Sequence, residues 1–174
     1  MIHFIFENDY VICELDDSVP VLKHRWKEET PGEIFRKNLI TIQEHYIELA
    51  KEYPHLAWLA DTQLLGEVDE ETEKWFSEVW EDLLFNKAQV KIHAVILGDD
   101  LFAEYPMEKF MMDAEQKFHK QGVWLGVFSD EQEAYDWIKT RWNWIRIQIL
   151  ENISKNSSFF FLETVMCWLL LITT

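Results

Sequence analysis

Apolar and polar positions alternate in short runs near the N-terminus and follow helical spacing further along the chain. Residues 3–6, 10–15 and 19–26 are rich in β-branched and aromatic side chains, and acidic turn residues separate them. Pro20 cannot donate a backbone hydrogen bond, so it marks a strand end. The pattern predicts an antiparallel meander of three strands. Lys23, His24 and Arg25 on the third strand indicate a charged, partly solvated face.

A helix is predicted from Thr30 to about Tyr53. Thr30-Pro31-Gly32-Glu33 has the residues of a capping box with proline at the first helical position. An apolar stripe with steps of three and four residues follows, formed by Phe35, Leu39, Ile42, Tyr46 and Leu49. Pro54 ends the helix, because the residue before a proline avoids the helical conformation.

Two largely apolar runs, residues 56–61 and 90–97, predict strands that are buried on both faces. The first ends at Asp61, and Asp69 is the expected N-cap of the helix that follows it. That helix has a broad apolar face, formed by Trp75, Phe76, Val79, Trp80, Leu83 and Leu84. The second run ends at Gly98-Asp99-Asp100.

One more helix, strand and helix complete the pattern. The next helix is predicted from about Tyr105 to His119, with Gly122 just beyond its end. Its inward residues are Met107, Phe110, Met111, Ala114 and Phe118. A strand at 123–128 leads to a second capping box, Ser129-Asp130-Glu131-Gln132, and to a helix that buries Ala134, Trp137 and Ile138. The fold class predicted is α/β, a mixed sheet with an antiparallel N-terminal meander followed by β-α units and helices packed on the sheet.

Composition narrows the class of protein. A chain of 174 residues with 48% hydrophobic residues suits one domain with a single core. The net charge of -16 repels phosphate backbones, so we expect no nucleic-acid partner. Cys13 and Cys167 lie far apart without metal-ligand spacing, and the N-terminus lacks the basic start of a secretory signal. We therefore expect a cytoplasmic protein.

Candidate chemistry lies at the ends of the two apolar strands. If these strands are parallel neighbours, Asp61, Asp99 and Asp100 converge at the carboxyl edge of the sheet, where α/β folds bind ligands. Carboxylate oxygens suit Mg²⁺ or Ca²⁺. The sequence contains no nucleophile motif, no histidine pair at ligand spacing and no glycine loop for phosphate. We therefore expect no enzyme activity and no cofactor; a metal-binding or enzymatic carboxylate cluster is the alternative.

Three stretches carry a resemblance to a known family: residues 58–62 (WLADT), 101–103 (LFA) and 128–138 (FSDEQEAYDWI). With the order of elements, they resemble the small bacterial STAS-related, SpoIIAA-like family over about residues 2–140. In STAS relatives a serine or threonine after a central strand is phosphorylated by a partner kinase, which controls docking to an anti-sigma factor. The resemblance implies Thr62 or Thr72 as the phospho-acceptor here. A plain turn threonine is the alternative, since acidic residues surround Thr62.

Residues 143–174 lie outside this resemblance, which assigns the domain to residues 1–142. From residue 139 onward the basic residues Lys139, Arg141, Arg146 and Lys155 outnumber the acidic residues Glu151 and Glu163. The apolar stretch 159–174 would span only about 24 Å as a helix, against about 30 Å of membrane hydrocarbon. Three interpretations stay open: a short membrane anchor, a helix docked on the domain or on a second subunit of a homodimer, and an end without selected function.

Together these observations predict a binding or regulatory module without chemistry of its own. We expect it to dock a protein partner or a small apolar ligand, with Asp61, Thr62, Thr72, Asp99 and Asp100 as the candidate site residues. A membrane-associated regulator anchored by the tail is a further alternative.

Overall fold

The computed structural model describes the backbone of residues 1–98 and 101–156, and the side chains of residues 1–98 and 105–151. The chain divides into two compact units, Met1–Lys139 and a second unit that begins at Thr140. Asp99, Asp100 and the apolar stretch 159–174 lie outside the described residues. Within the described part of the chain, no helix is both long enough and apolar enough to cross a membrane.

Six strands form one mixed sheet in the order β1-β2-β3-β4-β5-β6. The strands are β1 Ile2–Glu7, β2 Val11–Asp16, β3 Val21–Trp26, β4 Ala57–Asp61, β5 Ile92–Ile96 and β6 Trp124–Phe128. The first three pair antiparallel, and β3 to β6 pair parallel. The predicted α/β class, with a meander followed by β-α units, is confirmed.

Helices connect the parallel strands, because parallel neighbours need a crossover. They are α1 Gly32–Leu49, α2 Glu70–Trp75 and α3 Leu101–Phe118, and a further helix, α4 Glu131–Asn156, follows the last strand. Two π-helical segments, Phe76–Trp80 and Asp82–Lys87, continue α2. A 3₁₀ turn, His119–Gln121, follows α3 and ends at Gly122, whose φ of 73° is the left-handed cap conformation expected of that glycine.

Side chains alternate between the two faces of the sheet, and each face has its own cover. The larger core joins Trp26, Trp58 and Val95 from the strands to apolar residues of α1, the π-helical segments and α3. The opposite face carries Val21, Ala57, Leu59, Ile92, Ala94 and Ile96, all buried. The first turns of α4 cover it with Ala134 and Ile138, and the rings of Phe128 and Trp137 lie 5.4 Å apart there.

Two of the three predicted helix caps are wrong. The N-cap of α1 is Pro31, which offers no side-chain hydrogen bond, and the Thr30 hydroxyl donates to the Glu28 carbonyl instead. In α4 the carboxylate of Asp130, one residue after Ser129, accepts the Glu133 N–H at 2.8 Å. Asp69 is confirmed as the cap of α2, because its carboxylate accepts the Thr72 N–H at 2.6 Å.

The helix after β4 departs from the expected period. Hydrogen bonds of a π-helix run over five residues, so buried positions recur every four or five residues. Phe76, Trp80, Leu84 and Phe85 are buried accordingly, while Val79, predicted to face the core, is 39% exposed. The helix α3 begins four residues before the predicted start and contains Pro106. Its predicted inward residues, from Met107 to Phe118, are all buried.

Trp58 lies at the centre of the larger core. Its ring centroid is 5.2 Å from that of His24, 5.6 Å from Tyr46, 5.7 Å from Trp80 and 6.3 Å from His93. These four rings come from β3, α1, a π-helical segment and β5. Trp58 therefore joins two neighbouring strands to two of the helical elements that cover them.

We expect Trp58→Ala to lower the free energy of unfolding by about 3 to 5 kcal/mol, because it removes a buried indole that its neighbours cannot replace. The matched control is Phe4→Ala, since Phe4 is 64% exposed on the edge strand β1. Urea unfolding followed by circular dichroism measures both. A loss for Trp58→Ala no larger than that for Phe4→Ala would contradict this account of the core.

A chain ending at Trp142 should fold on its own, because the residues of α4 that cover the sheet, Ala134 and Ile138, precede that end. The control is a chain ending at Phe128, which lacks α4 and leaves Leu59 and Ile96 uncovered. We expect cooperative thermal unfolding for the first and none for the second. If the chain ending at Trp142 does not unfold cooperatively, residues 143–174 are needed for the core and this prediction is wrong.

Candidate functional site

Three adjacent strands direct aromatic and polar side chains toward α1, the π-helical segments and α3. His24 and Trp26 come from β3, Trp58 and Ala60 from β4, and His93 from β5. In the sheet register His24 lies beside Ala60, and Trp58 lies beside His93. Because Ala60 carries only a methyl group, space remains above it between the larger rings.

That space is a cavity of about 20 Å³. Apolar and aromatic side chains make up most of its lining, and His24, His93 and Thr62 also line it. The surface that these residues turn toward the cavity is almost entirely apolar. A cavity of roughly 10 to 15 Å³ is the least that holds one water molecule. In its present form the cavity therefore admits a guest of about the size of water.

Ring nitrogens at this cavity lack hydrogen-bond partners. They are Nδ1 and Nε2 of His24, Nε1 of Trp26 and Nδ1 of His93, none of which meets a partner within the described chain. His24 is only 1% exposed and His93 only 3%. Buried polar atoms nearly always have a partner in folded proteins, so this cavity, with several such atoms in its lining residues, is the candidate site.

Both histidines are uncharged at neutral pH. Burial lowers the pKa of His24 to about 3, and the neighbouring His93 contributes in the same direction. Burial alone lowers the pKa of His93 to about 3. A neutral imidazole has one donor and one acceptor nitrogen, so each histidine can form both kinds of hydrogen bond with a guest that reaches its ring nitrogens.

One wall of the cavity comes from irregular helices. Phe76 and Trp80 belong to the first π-helical segment, and Met107 and Phe110 follow Pro106 in α3. Short π-helical segments occur frequently at functional sites, because they interrupt the regular ladder of helix hydrogen bonds. This wall is therefore the part of the cavity that could move to admit a larger molecule.

Asp61 and Thr62, predicted as one site, point to opposite faces of the sheet. The Thr62 side chain lines the cavity, and its hydroxyl donates to the Ile96 carbonyl at 2.9 Å. The Asp61 carboxylate accepts the Gln63 N–H at 3.3 Å. Burial raises the pKa of Asp61, while Lys23 and Arg25 act in the opposite direction. Asp61 therefore belongs to a charged cluster on the α4 side.

Thr72 lies apart from both faces, in the first turns of α2. It is fully buried, and its hydroxyl accepts a hydrogen bond from Arg36 at 2.7 Å. Neither Thr62 nor Thr72 presents a free hydroxyl to a kinase in this conformation. Phosphorylation of either residue stays a prediction that requires local opening.

The predicted carboxylate cluster includes residues that lie outside the described chain. Asp99 and Asp100 follow Gly98, and a Cβ atom on Gly98 would lie 2.8 Å from the Gln63 carbonyl oxygen. The end of β5 therefore packs closely against the loop after β4. Among the described residues, no group of three or more histidine, cysteine or acidic side chains is arranged to hold a metal ion. The metal-binding alternative with Asp61 stays a prediction.

The sequence prediction missed the histidines at the cavity. Lys23, His24 and Arg25 were expected on a charged, partly solvated face. This prediction is wrong for Lys23 and His24, which are buried, and of the three only Arg25 is exposed. The spacing rule applied to histidines tests neighbours within one helix, whereas His24 and His93 come from different strands. The available signal was a histidine on the apolar face of each strand, because His24 shares a face with Leu22 and Trp26 and His93 shares a face with Val95.

Comparisons with known proteins give no match. Family models, curated proteins and solved structures all contain nothing that matches this chain.

We expect the free energy of unfolding to fall as the pH drops from about 6.5 toward 3. Over this range both histidines take up protons in the unfolded chain but stay neutral in the folded protein, where their pKa is about 3. Each histidine contributes at most about 1.4 kcal/mol per pH unit over this range, and its contribution is complete above pH 6.5. His24→Phe should reduce this slope, whereas His119→Phe, at an exposed histidine, should keep it.

Urea unfolding of the three proteins at several pH values between about 7.5 and 4 measures the slopes. The comparison between variants removes the contribution of the carboxyl groups, which all three proteins share. Equal slopes for the wild-type protein and His24→Phe would contradict a neutral, buried His24.

Proposed function

We propose that this protein is a non-catalytic binding module of the STAS-related, SpoIIAA-like type, and that it takes a small, largely apolar ligand in the cavity above Ala60. Ligand sites in proteins are mostly apolar concave spaces with a few convergent polar groups. The unpartnered nitrogens of His24, Trp26 and His93 around one aromatic cavity are the observation that carries this proposal.

The chemistry of the lining favours binding over catalysis. Its side chains are aromatic, aliphatic, imidazole and one threonine hydroxyl. A general base works best when its pKa lies near the working pH, and both imidazoles have a pKa of about 3. The Thr62 hydroxyl donates to the Ile96 carbonyl rather than to a base. These groups can orient a ligand by hydrogen bonds but are poorly suited to move its protons.

The lining also indicates the class of ligand. Flat aromatic surfaces from Trp26, Trp58 and Phe76 favour a planar ring, and the neutral imidazoles favour a ring with a polar N–H or O–H. A ligand of this size exceeds the space of about 20 Å³, so entry requires displacement of the π-helical wall that carries Phe76 and Trp80. The proposal therefore requires this wall to open for the ligand.

A regulatory role would follow from the position of Thr62. Its side chain lines the cavity while its hydroxyl holds the end of β4 to the Ile96 carbonyl of β5. A ligand that displaces this hydroxyl while the cavity wall opens would make it available to the partner kinase that the family resemblance implies. We propose that such a ligand-gated phospho-acceptor acts in the cytoplasm.

Indole and indene provide a matched pair of probes, because they share a ring shape and differ in the N–H group. We expect indole to bind at least about 10-fold more tightly than indene, since indene would leave the imidazole acceptors unpaired. In His24→Phe, which keeps a ring but loses the nitrogens, this preference should shrink. Isothermal titration, with methyl NMR shifts to locate the probe, measures both.

A control variant is Val127→Thr, which lies outside the cavity lining and should keep the indole preference. Near-ultraviolet circular dichroism establishes that the His24→Phe core stays packed. Equal affinities of the wild-type protein for indole and indene, or shifts confined to residues away from the cavity, would reject the proposed site.

A further inference from the structure

A second concave surface lies between α3 and β6, on the outside of the domain. We name it the β6 groove; Met111, Met112, Leu125 and Val127 form its apolar floor, and Glu108 and Glu115 stand on its α3 side. Its volume is about 250 Å³, and Met112 is 71% exposed. The groove is separate from the histidine cavity and shares no lining residue with it.

The strand that borders this groove is an edge of the sheet. Among the described strands β6 pairs only with β5. The Trp124 N–H donates to the Lys91 carbonyl at 2.7 Å, and the Phe128 carbonyl accepts from the Leu97 N–H at 2.9 Å. Because backbone groups alternate in direction along a strand, those of Leu125 and Val127 point away from β5. An edge of this kind is a template for an added strand.

The charge of the groove favours a basic segment of another protein over a second copy of this chain. Its named side chains include two carboxylates and no basic group. The chain carries a net charge of -16, so a second copy would bring like charge to this edge. A basic segment would instead meet opposite charge at Glu108 and Glu115. Methionine side chains on the floor adapt to different apolar partners, because they are flexible and polarizable.

The spacing of the carboxylates defines the sequence pattern of the partner. Glu108 and Glu115 lie seven residues apart on α3, which corresponds to about 10 Å along the helix. Residues four apart on a strand lie about 13 Å apart on the same face, a difference that long basic side chains absorb. A residue midway between them would face the methionines. The pattern is therefore basic-x-apolar-x-basic.

We propose that the β6 groove binds an extended segment of a partner protein with this pattern, added as a seventh strand beside β6. The backbone groups of Leu125 and Val127 hold the segment in register. The apolar residue of the segment packs on the exposed Met112, and its two basic residues pair with Glu108 and Glu115. This inference stands independently of the ligand proposed for the histidine cavity.

The direct test is the fluorescence anisotropy of a labelled peptide, Thr-Lys-Thr-Val-Thr-Lys-Thr, titrated with the full chain. We expect saturable binding that weakens several-fold when the salt rises from about 0.05 to 0.3 M, because the Debye length shortens. A peptide with both lysines replaced by glutamate should not bind. Equal binding of the two peptides would overturn the assignment of Glu108 and Glu115.

Two pairs of variants separate this site from a general effect of charge. The double variant Glu108→Lys and Glu115→Lys should weaken peptide binding about 10-fold or more, the loss of two charge-assisted contacts. The control Glu44→Lys and Glu48→Lys changes the net charge equally at exposed positions of α1 and should retain most of the affinity. An equal loss in the two double variants would overturn the proposal.

The second pair tests the strand edge. Val127→Pro removes an outward N–H without touching the bonds to β5, and Val127→Thr keeps that N–H. We expect loss of binding only for the proline variant, with native near-ultraviolet circular dichroism in both; if the proline variant fails to fold, the charge variants still decide. Retained binding by a folded Val127→Pro variant would overturn strand addition.

Analytical sedimentation of the full chain tests the alternative occupant, a second copy of this chain. A dimer that Val127→Pro abolishes would assign the edge to that second copy and overturn the proposal.

Discussion

The packing of Trp58 between uncharged imidazoles is the interaction on which the rest of the structure depends. Its indole contacts rings from β3, β5, α1 and a π-helical segment, so it connects the middle of the sheet to the helices above it. Burial among these rings is also what lowers the pKa of His24 and His93 to about 3. A charge on either imidazole would lie beside apolar groups with little solvation. Burial in the aromatic core therefore keeps both histidines neutral, and protonation of either one would destabilise the core.

The sequence predicted the sheet well because the signal for a strand is strong where burial is strong. The apolar runs at 56–61 and 90–97 correspond to β4 and β5, whose residues are all buried. Helix starts were predicted less well, because several nearby side chains can serve as a cap and local sequence does not decide among them. Ser129 and Asp130 are such a pair. The π-helical segments could not be predicted from a period of 3.6 residues, and Val79 was consequently placed on the wrong side.

The site was harder to predict than the fold because it depends on strand register. Sequence proximity suggested that Asp61 and Thr62 act together, yet neighbours on a strand point to opposite faces, so one joins Lys23 and Arg25 while the other lines the cavity. His24 and His93 are distant in sequence, and they approach one cavity only because β3, β4 and β5 are successive strands of the sheet. No spacing rule within one element could have paired them.

The histidine cavity and the β6 groove have one structural element in common. Met107 and Phe110 of α3 line the cavity, and Glu108, Met111 and Met112 of the same helix line the groove. Residues three and four apart share a helix face, so α3 presents adjacent stripes to the two spaces. In the binding function that we propose, entry moves the cavity wall that α3 shares with the π-helical segment, and a shift of α3 would also move Met111 and Met112 at the groove. Linkage then requires that a segment bound in the groove change the affinity of the cavity by the same factor. A single helix between the two proposed binding spaces is thus a sufficient physical basis for coupling them, without any change in the sheet.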